Sequence, residues 1–362
     1  MSARIEVRSV RLARTMYRRM NFLLKDVYRR PTWNCRLCST APRTTDERDP
    51  GSFFFDQHVQ KLLKTLTRID YEKIFATRRD ETPLKIPQFK FMTDEELAKA
   101  REEIGKKANR RLQMPPVVKI RPKEPKVLVK EPELQGCERS SLVFTDISFG
   151  KSNRNRIIVV REINGTLRHA NSNERHRMNQ IYFPITGREM HTPQMFCNPY
   201  LKDLLDQGEF EFVLDRACLQ FEPDDPEYHR ITKEVYSYVN KLRKFDALRS
   251  TRHFGPLAFQ LAWENNIDTL LLELIESENI EEAGQLVRLY HKLQPDAKSG
   301  QVEIENDLQL VKVYVQLDSS DRHMLSGVIL KYEKMYKEKQ RMERGIMKAH
   351  GLIDDQNEIS KT

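Results

Sequence analysis

The amino-acid sequence predicts an α+β protein that is predominantly α, with a small β-hairpin-containing unit followed by a helical C-terminal half. Two observations carry this prediction. Apolar residues recur at helical spacing through residues 200–348. Within residues 140–196, two runs of β-branched and aromatic residues are followed by Asn164-Gly165, a signal for a tight hairpin turn. No stretch approaches the roughly 18 apolar residues that a bilayer-spanning helix needs, so we expect no membrane partner.

Residues 1–45 hold the whole excess of positive charge. The chain has 62 Lys+Arg and 53 Asp+Glu; this segment takes eleven basic and two acidic residues, which leaves 51 of each sign in residues 46–362. An Arg-rich, acid-poor segment containing Ser and Thr is typical of a mitochondrial transit peptide. We therefore expect residues 1–45 to be disordered and the protein to reside in the mitochondrial matrix. The alternative is a basic tail that binds RNA or anionic lipid.

Residues 53–132 are expected to form a helical segment followed by a basic, proline-rich strap. Thr93 and Glu96 have the spacing of a capping box, which predicts a helix beginning there. Pro115-Pro116 ends it, because proline disfavours helical geometry in the residue before it. The strap, residues 115–132, holds five prolines and five basic residues, so we expect it to be extended and not to pack in a core.

Residues 140–196 are expected to form a small α+β unit. Leu142-Val143-Phe144 and Ile157-Ile158-Val159-Val160 are the candidate strands, and Asn164-Gly165 is the turn that follows them. Asn171, followed three residues later by Glu174, predicts the start of a helix that Pro184 ends.

Residues 200–348 are expected to form a helical domain. Ile231, Val235, Val239 and Leu242 are one of several sets with helical spacing, and Asp225 before a proline is a favourable helix start. No motif recurs at a fixed period, so the pattern does not establish a solenoid. Residues 351–362 are expected to be a disordered tail.

The sequence lacks the patterns that usually mark an enzyme. It contains no phosphate-binding loop ending in Lys-Ser or Lys-Thr, no Gly-x-Gly-x-x-Gly, no nucleophile elbow and no His-Glu-x-x-His. Cys35 and Cys38 form a C-x-x-C pair, but a zinc site needs four ligands and no second pair lies at the usual spacing. His169, His176 and His191 have no cysteine or carboxylate at ligand spacing. We expect no enzymatic activity, no metal and no cofactor.

Local clusters of basic residues are the stronger signal. Residues 99–130 carry eleven basic against three acidic residues, and residues 151–177 carry seven against two. A third group lies between Lys241 and Arg252. Phosphate recognition requires long cationic side chains on a scaffold. The candidate RNA-binding residues are Lys106, Lys107, Arg110, Arg111, Lys119, Arg121, Arg154, Arg156, Arg168, Arg249 and Arg252.

Two roles besides RNA binding stay open for these basic clusters. A basic cluster can be a solvated face. Arg249 or Arg252 can instead pair with a nearby carboxylate and fix helix packing. Residues 264–282 hold seven acidic residues and no basic one, which predicts a second face that avoids RNA and meets a basic protein or water.

Several stretches together resemble one known family. They are FMTD at 91–94, RLQMPPV at 111–117, IVVREINGTLRHANSNERHRMNQIYFPITGRE at 158–189, FEPDDPEY at 221–228, KFDALRSTRHFG at 244–255 and LYHKLQPD at 289–296. The chain from about residue 85 to 335 resembles the mitochondrion-specific small-subunit ribosomal protein family numbered twenty-two, in an animal and more specifically an invertebrate version. The N-terminal arm and the C-terminal tail show no recognisable resemblance.

This resemblance implies a structural component of the mitochondrial small ribosomal subunit that supports mitochondrial translation. The family has no bacterial counterpart and no catalytic residues to carry over. Its expected partners are the small-subunit rRNA and other mitochondrial ribosomal proteins of the subunit body, and the chain is not expected to be a free homo-oligomer. The alternative is a helical-repeat RNA-binding factor that acts on mitochondrial transcripts, although such a factor would show a regular period.

Overall fold

The computed structural model describes residues 48–76, 89–122, 125–136, 139–301, 304 and 306–350. The expected transit peptide, the Cys35 and Cys38 pair and the expected tail at 351–362 lie outside the described residues. Within these ranges the fold is α+β and predominantly α, which confirms the predicted class.

The N-terminal helices begin where short polar side chains can cap them. Thr93 accepts a hydrogen bond from the Glu96 amide, and the Glu96 carboxylate accepts one from the Thr93 amide, so the predicted capping box is confirmed. The helix it starts ends at Arg111, just before the two prolines. The helices of this part are α1 (Pro50–Phe54), α2 (Gln57–Thr67), α3 (Tyr71–Ile74) and α4 (Asp94–Arg111).

The β-strands form one antiparallel sheet. They are β1 (Val127–Lys130), β2 (Leu142–Thr145), β3 (Ile158–Arg161) and β4 (Thr166–His169), in the order β1-β4-β3-β2. Strand β1 comes from the strap and pairs with β4. Val118, also in the strap, is only 3% exposed. The expectation that the strap does not pack was therefore wrong at Val118, whereas β1 is extended, as expected, and all four of its residues are exposed.

The predicted hairpin joins β3 to β4, with a loop of three residues. The Gly165 amide donates to the Glu162 carbonyl at 3.0 Å, and the Glu162 amide donates to the Thr166 carbonyl at 2.9 Å. Within this loop only Gly165 has a positive φ, +80°, which is the arrangement of a turn closed by a left-handed residue. Helix α5 (Ser172–Tyr182) follows, started by a capping box between Asn171 and Glu174 as predicted.

The remaining helices build the main core. They are α6 (Tyr200–Gln207), α7 (Phe210–Gln220), α8 (Pro226–Leu242), α9 (Phe254–Trp263), α10 (Asp268–Glu276), α11 (Ile280–Leu293), α12 (Asp307–Leu317) and α13 (Arg322–Ala349). Helix α2 packs against α9 and α11 and buries Val59, Leu63 and Leu66 in the same core. Helices α1 and α2 are therefore part of the core of the C-terminal half. Among the residues described, no helix is both long and apolar enough to cross a bilayer.

Candidate nucleic-acid interface

The C-terminal half of α4 presents cationic side chains to solvent. Ala108 is the buried residue of this helix, and Lys106, Lys107 and Arg110 are exposed. Lys106 forms an ion pair with Glu102 at 2.7 Å, but about two thirds of each side chain stays accessible (65% and 66%). Such an exposed pair contributes little to stability. These side chains can therefore turn toward a phosphate at small cost.

Arg111 is engaged within the protein although it lies next to Arg110. Its Nη1 donates to the Ile74 carbonyl at 2.8 Å, and its guanidinium lies 4.8 Å from the ring centre of Phe75. These contacts attach the end of α4 to α3. Arg111 thus holds the exposed helix in place.

The strap and the loop before β3 contribute exposed and paired cations side by side. Lys119 and Arg154 are exposed. Arg121 Nε instead donates to Asp224 Oδ2 at 3.0 Å, and its Nη2 donates to the Arg154 carbonyl at 3.1 Å. Asp224 is 8% exposed, so Arg121 neutralises a buried carboxylate and joins the strap to the helical half.

Arg156 is held inside the small α+β unit. It is 4% exposed, donates to the carbonyls of Asp146 at 2.6 Å and Lys151 at 2.9 Å, and lies 3.4 Å from the ring centre of Phe183. These contacts hold the 146–151 loop against the end of α5. The Arg156 guanidinium is therefore hydrogen-bonded and packed within the protein.

Arg168 is likewise bound to carboxylates. Its Nε lies 2.8 Å from Glu162, and its two terminal nitrogens lie 2.8 and 2.9 Å from Glu174. Hydrogen bonds to Glu174 and then Glu162 raise the pKa of Arg168, and the bond from Arg168 lowers the pKa of Glu174. Arg168 therefore ties the hairpin to the first turn of α5.

Arg249 lies at the centre of a buried charge cluster. It is 6% exposed, and its terminal nitrogens lie 2.5 Å from Glu273 and 3.5 Å from Glu282. Glu282 also accepts two hydrogen bonds from Arg68, at 2.6 and 2.8 Å. The sequence left RNA binding and pairing with a carboxylate open for Arg249. In the structure Arg249 is paired with carboxylates of two helices. The basic group between Lys241 and Arg252 thus contacts the acidic segment 264–282 in the protein interior.

Arg252 takes part in a second polar cluster. Its Nε and the Nε2 of His253 both lie 2.8 Å from Asp215 Oδ1. His253 has no exposed surface, and this burial lowers its pKa although Asp215 acts in the opposite direction. Arg252 and His253 together connect the start of α9 to α7.

Another acidic residue of the 264–282 segment has a structural role. Asp268 is buried and accepts hydrogen bonds from the Tyr314 hydroxyl at 2.7 Å, the Ser319 hydroxyl at 3.0 Å and the Ser320 amide at 2.9 Å. It therefore connects α10 to the turn before α13. The acids that stay exposed for an outside partner are Glu264, Glu276, Glu278 and Glu281.

The sequence reasoning missed a basic stripe on α13. This 28-residue helix buries only Leu325 and Ile329. Its outer half carries exposed cations at steps of three, four and three, which place them on one helical face. We call Lys334, Lys337, Arg341 and Arg344 the basic stripe. The spacing is visible in the sequence, but only the structure shows that this part of the helix leaves the core.

The clefts differ in size. One of about 330 Å³ lies between α8, α9 and the start of α10 and is lined by Asn240, Lys241 and Thr269 among others. A polar cavity of about 30 Å³ lies between α5 and the strap and is lined by Arg121, Arg175, Arg188 and Asp224 among others. Burial lowers the pKa of Arg175 to about 10, and its Nη1 donates to the Arg156 carbonyl at 2.8 Å. Such a volume holds about one water molecule. In the described part of the chain, no group of three or more His, Cys, Asp or Glu side chains is placed to hold a metal ion.

Comparison with known proteins shows which family this chain belongs to. The profile of the family described as "Mitochondrial 28S ribosomal protein S22" matches residues 52–295. The chain belongs to this family. A relative from Bos taurus, "Small ribosomal subunit protein mS22", is 38% identical over 306 residues, covering 83% of this chain and 84% of the relative. The protein of the same name from Mus musculus is 38% identical over 287 residues, covering 78% and 79%. The S22 family profile thus spans the strap, the sheet and the helices up to α11.

Proposed function

We propose that this chain is a structural component of the mitochondrial small ribosomal subunit. In this role it lies in the mitochondrial matrix and binds small-subunit rRNA and neighbouring ribosomal proteins. Membership of the S22 family and the names of the two relatives are the observations that carry the proposal. The chain holds its place in the particle by binding alone and catalyses no reaction.

The exposed cations are the residues to which we assign the RNA contacts. A phosphate contact requires a guanidinium or ammonium group that can leave water for the phosphate and release counterions. Exposed groups of this kind occur on α4, on the strap, before β3 and on the basic stripe. The assigned residues are Lys106, Lys107, Arg110, Lys119, Arg154, Lys334, Lys337, Arg341 and Arg344.

Five of the sequence candidates receive a different main role in this proposal. Their guanidinium groups are already bonded to carboxylates or carbonyls, and breaking those bonds would leave buried polar groups unpaired. We assign them to holding the RNA-binding surface in shape. They are Arg111, Arg121, Arg156, Arg168 and Arg249. Arg252 is intermediate in exposure and paired with Asp215, so it belongs with them.

A sucrose gradient of matrix lysate tests the proposal. We expect the protein in one peak with the small subunit, stable at moderate salt, and shifted or lost after RNase treatment. Sedimentation of the protein that stays unchanged although the rRNA of the same fractions is digested would argue against RNA contacts. A peak near the mass of the free chain under gentle conditions would contradict membership of the particle itself.

A further inference from the structure

Helix α13 joins the core through one face of its first half only. Leu325 is 1% exposed and Ile329 4%, and Val328 and Tyr332 pack against the same core. Lys312 on α12 forms an ion pair with Glu333 at the point where these contacts end. From Lys334 to Ala349 no residue is buried. At 1.5 Å per residue, this outer half extends about 25 Å beyond the last core contact.

The apolar face that packs on the core continues along the exposed half. Its positions follow alternating steps of three and four, the heptad spacing of a helix that packs along another helix. The exposed apolar side chains on this face are Met335 at 47%, Met342 at 64% and Ile346 at 57%. We call the following positions the seam: Leu325, Val328, Tyr332, Met335, Lys339, Met342 and Ile346.

An exposed seam of this kind calls for a partner. In proteins, most of the stability of a helix comes from packing an apolar face against other elements. Contiguous exposed apolar surface on a soluble protein marks an interaction site. The outer half of α13 keeps heptad spacing over Met335, Met342 and Ile346, although none of them reaches the core. This spacing is suited to packing along a second helix.

We propose that the seam of α13 binds an α-helix of a neighbouring protein of the small ribosomal subunit. This inference rests on the proposed function, because it names the surface through which the chain meets one of its protein neighbours. Lys339 occupies a seam position, where it needs a carboxylate on the facing helix. Glu338 and Glu343 flank the seam, so the partner presents Lys or Arg beside its own apolar stripe.

The distribution of charge on α13 favours a protein helix over RNA as the partner of the seam. The basic stripe, from Lys334 to Arg344, lies on the side of the helix opposite the seam, where it is available to phosphate. Glu338 and Glu343 lie beside the seam and repel phosphate. The methionine and isoleucine side chains of the seam form no favourable contact with a phosphate. The two faces of the outer half thus suit two different neighbours, RNA on one side and a protein helix on the other.

The seam also disfavours a second copy of this chain. In a parallel pair of identical helices, Lys339 would face Lys339 of the other copy in a desolvated position. Glu338 would in the same arrangement flank Glu343 of the other copy, and two like charges at these positions repel each other.

Photo-crosslinking in assembled subunits tests this proposal. A photoreactive amino acid replaces Met342 on the seam or, as a matched control on the same helix, Met347, which is 46% exposed but lies off the seam. Small subunits are purified, irradiated and analysed by mass spectrometry. We expect the probe at 342 to give an adduct with a helical segment of one small-subunit protein, and the probe at 347 to give about tenfold less of it. An adduct with RNA alone, with a second copy of this chain, or in equal yield from both positions would overturn the proposal.

A substitution pair completes the test. Met342→Asp is expected to lower the occupancy of the crosslinked neighbour in purified subunits about tenfold, equivalent to about 1.4 kcal/mol, whereas Met347→Asp leaves it unchanged. If the probe at 342 prevents incorporation, position 335 replaces it, and absence of a protein adduct from incorporated chains at both positions refutes the seam. Absence of the unmodified chain from small subunits would instead refute the proposed function, and the inference with it.

Discussion

Arg249 and Glu273 face each other in the interior of the protein, with Arg249 Nη2 2.5 Å from Glu273 Oε2. Arg249 comes from a basic cluster for which the sequence left RNA binding and pairing with a carboxylate both open, and Glu273 comes from an acidic segment expected to meet a basic protein or water. Glu282 and Arg68 extend the contact into a network that joins α2, the segment before α9, α10 and α11. The guanidinium of Arg249 also lies 4.7 Å from the ring centre of Phe254. These helices are therefore joined by paired charges, of which Arg249 is buried and Arg68 is partly exposed.

Removing Arg249 is expected to destabilise the fold strongly. Arg249→Met deletes the cation and leaves Glu273 without its closest partner, and breaking a buried pair in this way costs about 3–5 kcal/mol. Urea denaturation measures the loss. Arg177→Met, at an exposed arginine of α5, is the control and should change the free energy of unfolding by less than about 0.5 kcal/mol. Equal effects of the two substitutions would show that the buried network contributes nothing.

Stability is expected to fall as the pH drops below the ordinary histidine pKa of 6.5, in part through His253. Burial lowers the pKa of this side chain in the folded state, against the opposing effect of Asp215 and with a smaller contribution from Arg252. The unfolded chain therefore binds the proton first, and its uptake favours unfolding. His229 and His291, whose pKa values burial also lowers, act in the same direction.

His253→Gln checks this assignment. Glutamine keeps a polar group near Asp215 but does not titrate. We expect the loss of stability between pH 7 and about 5.5 to be smaller in the variant than in the natural chain, as measured by urea midpoints at each pH. A steeper decline in the variant would show that the sign of the His253 contribution is reversed.

Two glycines are expected to respond to alanine with opposite signs. At Gly165, φ is +80°, and an added Cβ would stand 2.0 Å from the Glu131 carbonyl oxygen. Gly165→Ala should therefore cost at least about 1–3 kcal/mol from backbone strain, with the steric clash added. At Gly105 in α4, a Cβ meets nothing within 4 Å, so Gly105→Ala should stabilise that helix by about 0.5–1 kcal/mol. Thermal denaturation of the two variants measures both signs.

Removal of exposed cations from α4 should weaken RNA binding without changing stability. Lys106→Gln with Lys107→Gln deletes two proposed phosphate-binding groups, which should lower the slope of log affinity against log salt concentration by about 1 for each lysine removed. The control is Lys61→Gln with Lys64→Gln on α2, an exposed pair outside the proposed surface. Filter binding of the purified chain to small-subunit rRNA over a salt series provides the measurement. Equal slopes for the two double variants would remove Lys106 and Lys107 from the interface.

Local patterns in the sequence were sufficient for several elements. The capping boxes of Thr93 with Glu96 and Asn171 with Glu174 were predicted correctly, because their hydrogen bonds join residues three apart. The hairpin at Gly165 was also recognised, although its loop is one residue longer than the dipeptide signal indicates. The sequence also identified the exposed lysines Lys106 and Lys107 on α4. They are exposed because this helix buries a single residue and its charged side chains remain in water.

Long-range contacts decided the rest. Arg68 and Glu282 are 214 positions apart, and Arg249 and Glu282 are 33 apart, so no local pattern joins them. Strand β1 depends in the same way on β4, about forty residues further along the chain. Charge and periodicity are properties that a residue carries alone or shares with near neighbours, and they can be read along the chain. Which arginine faces water and which is desolvated against a carboxylate depends on how distant helices pack, because burial and pairing exist only once the core has formed.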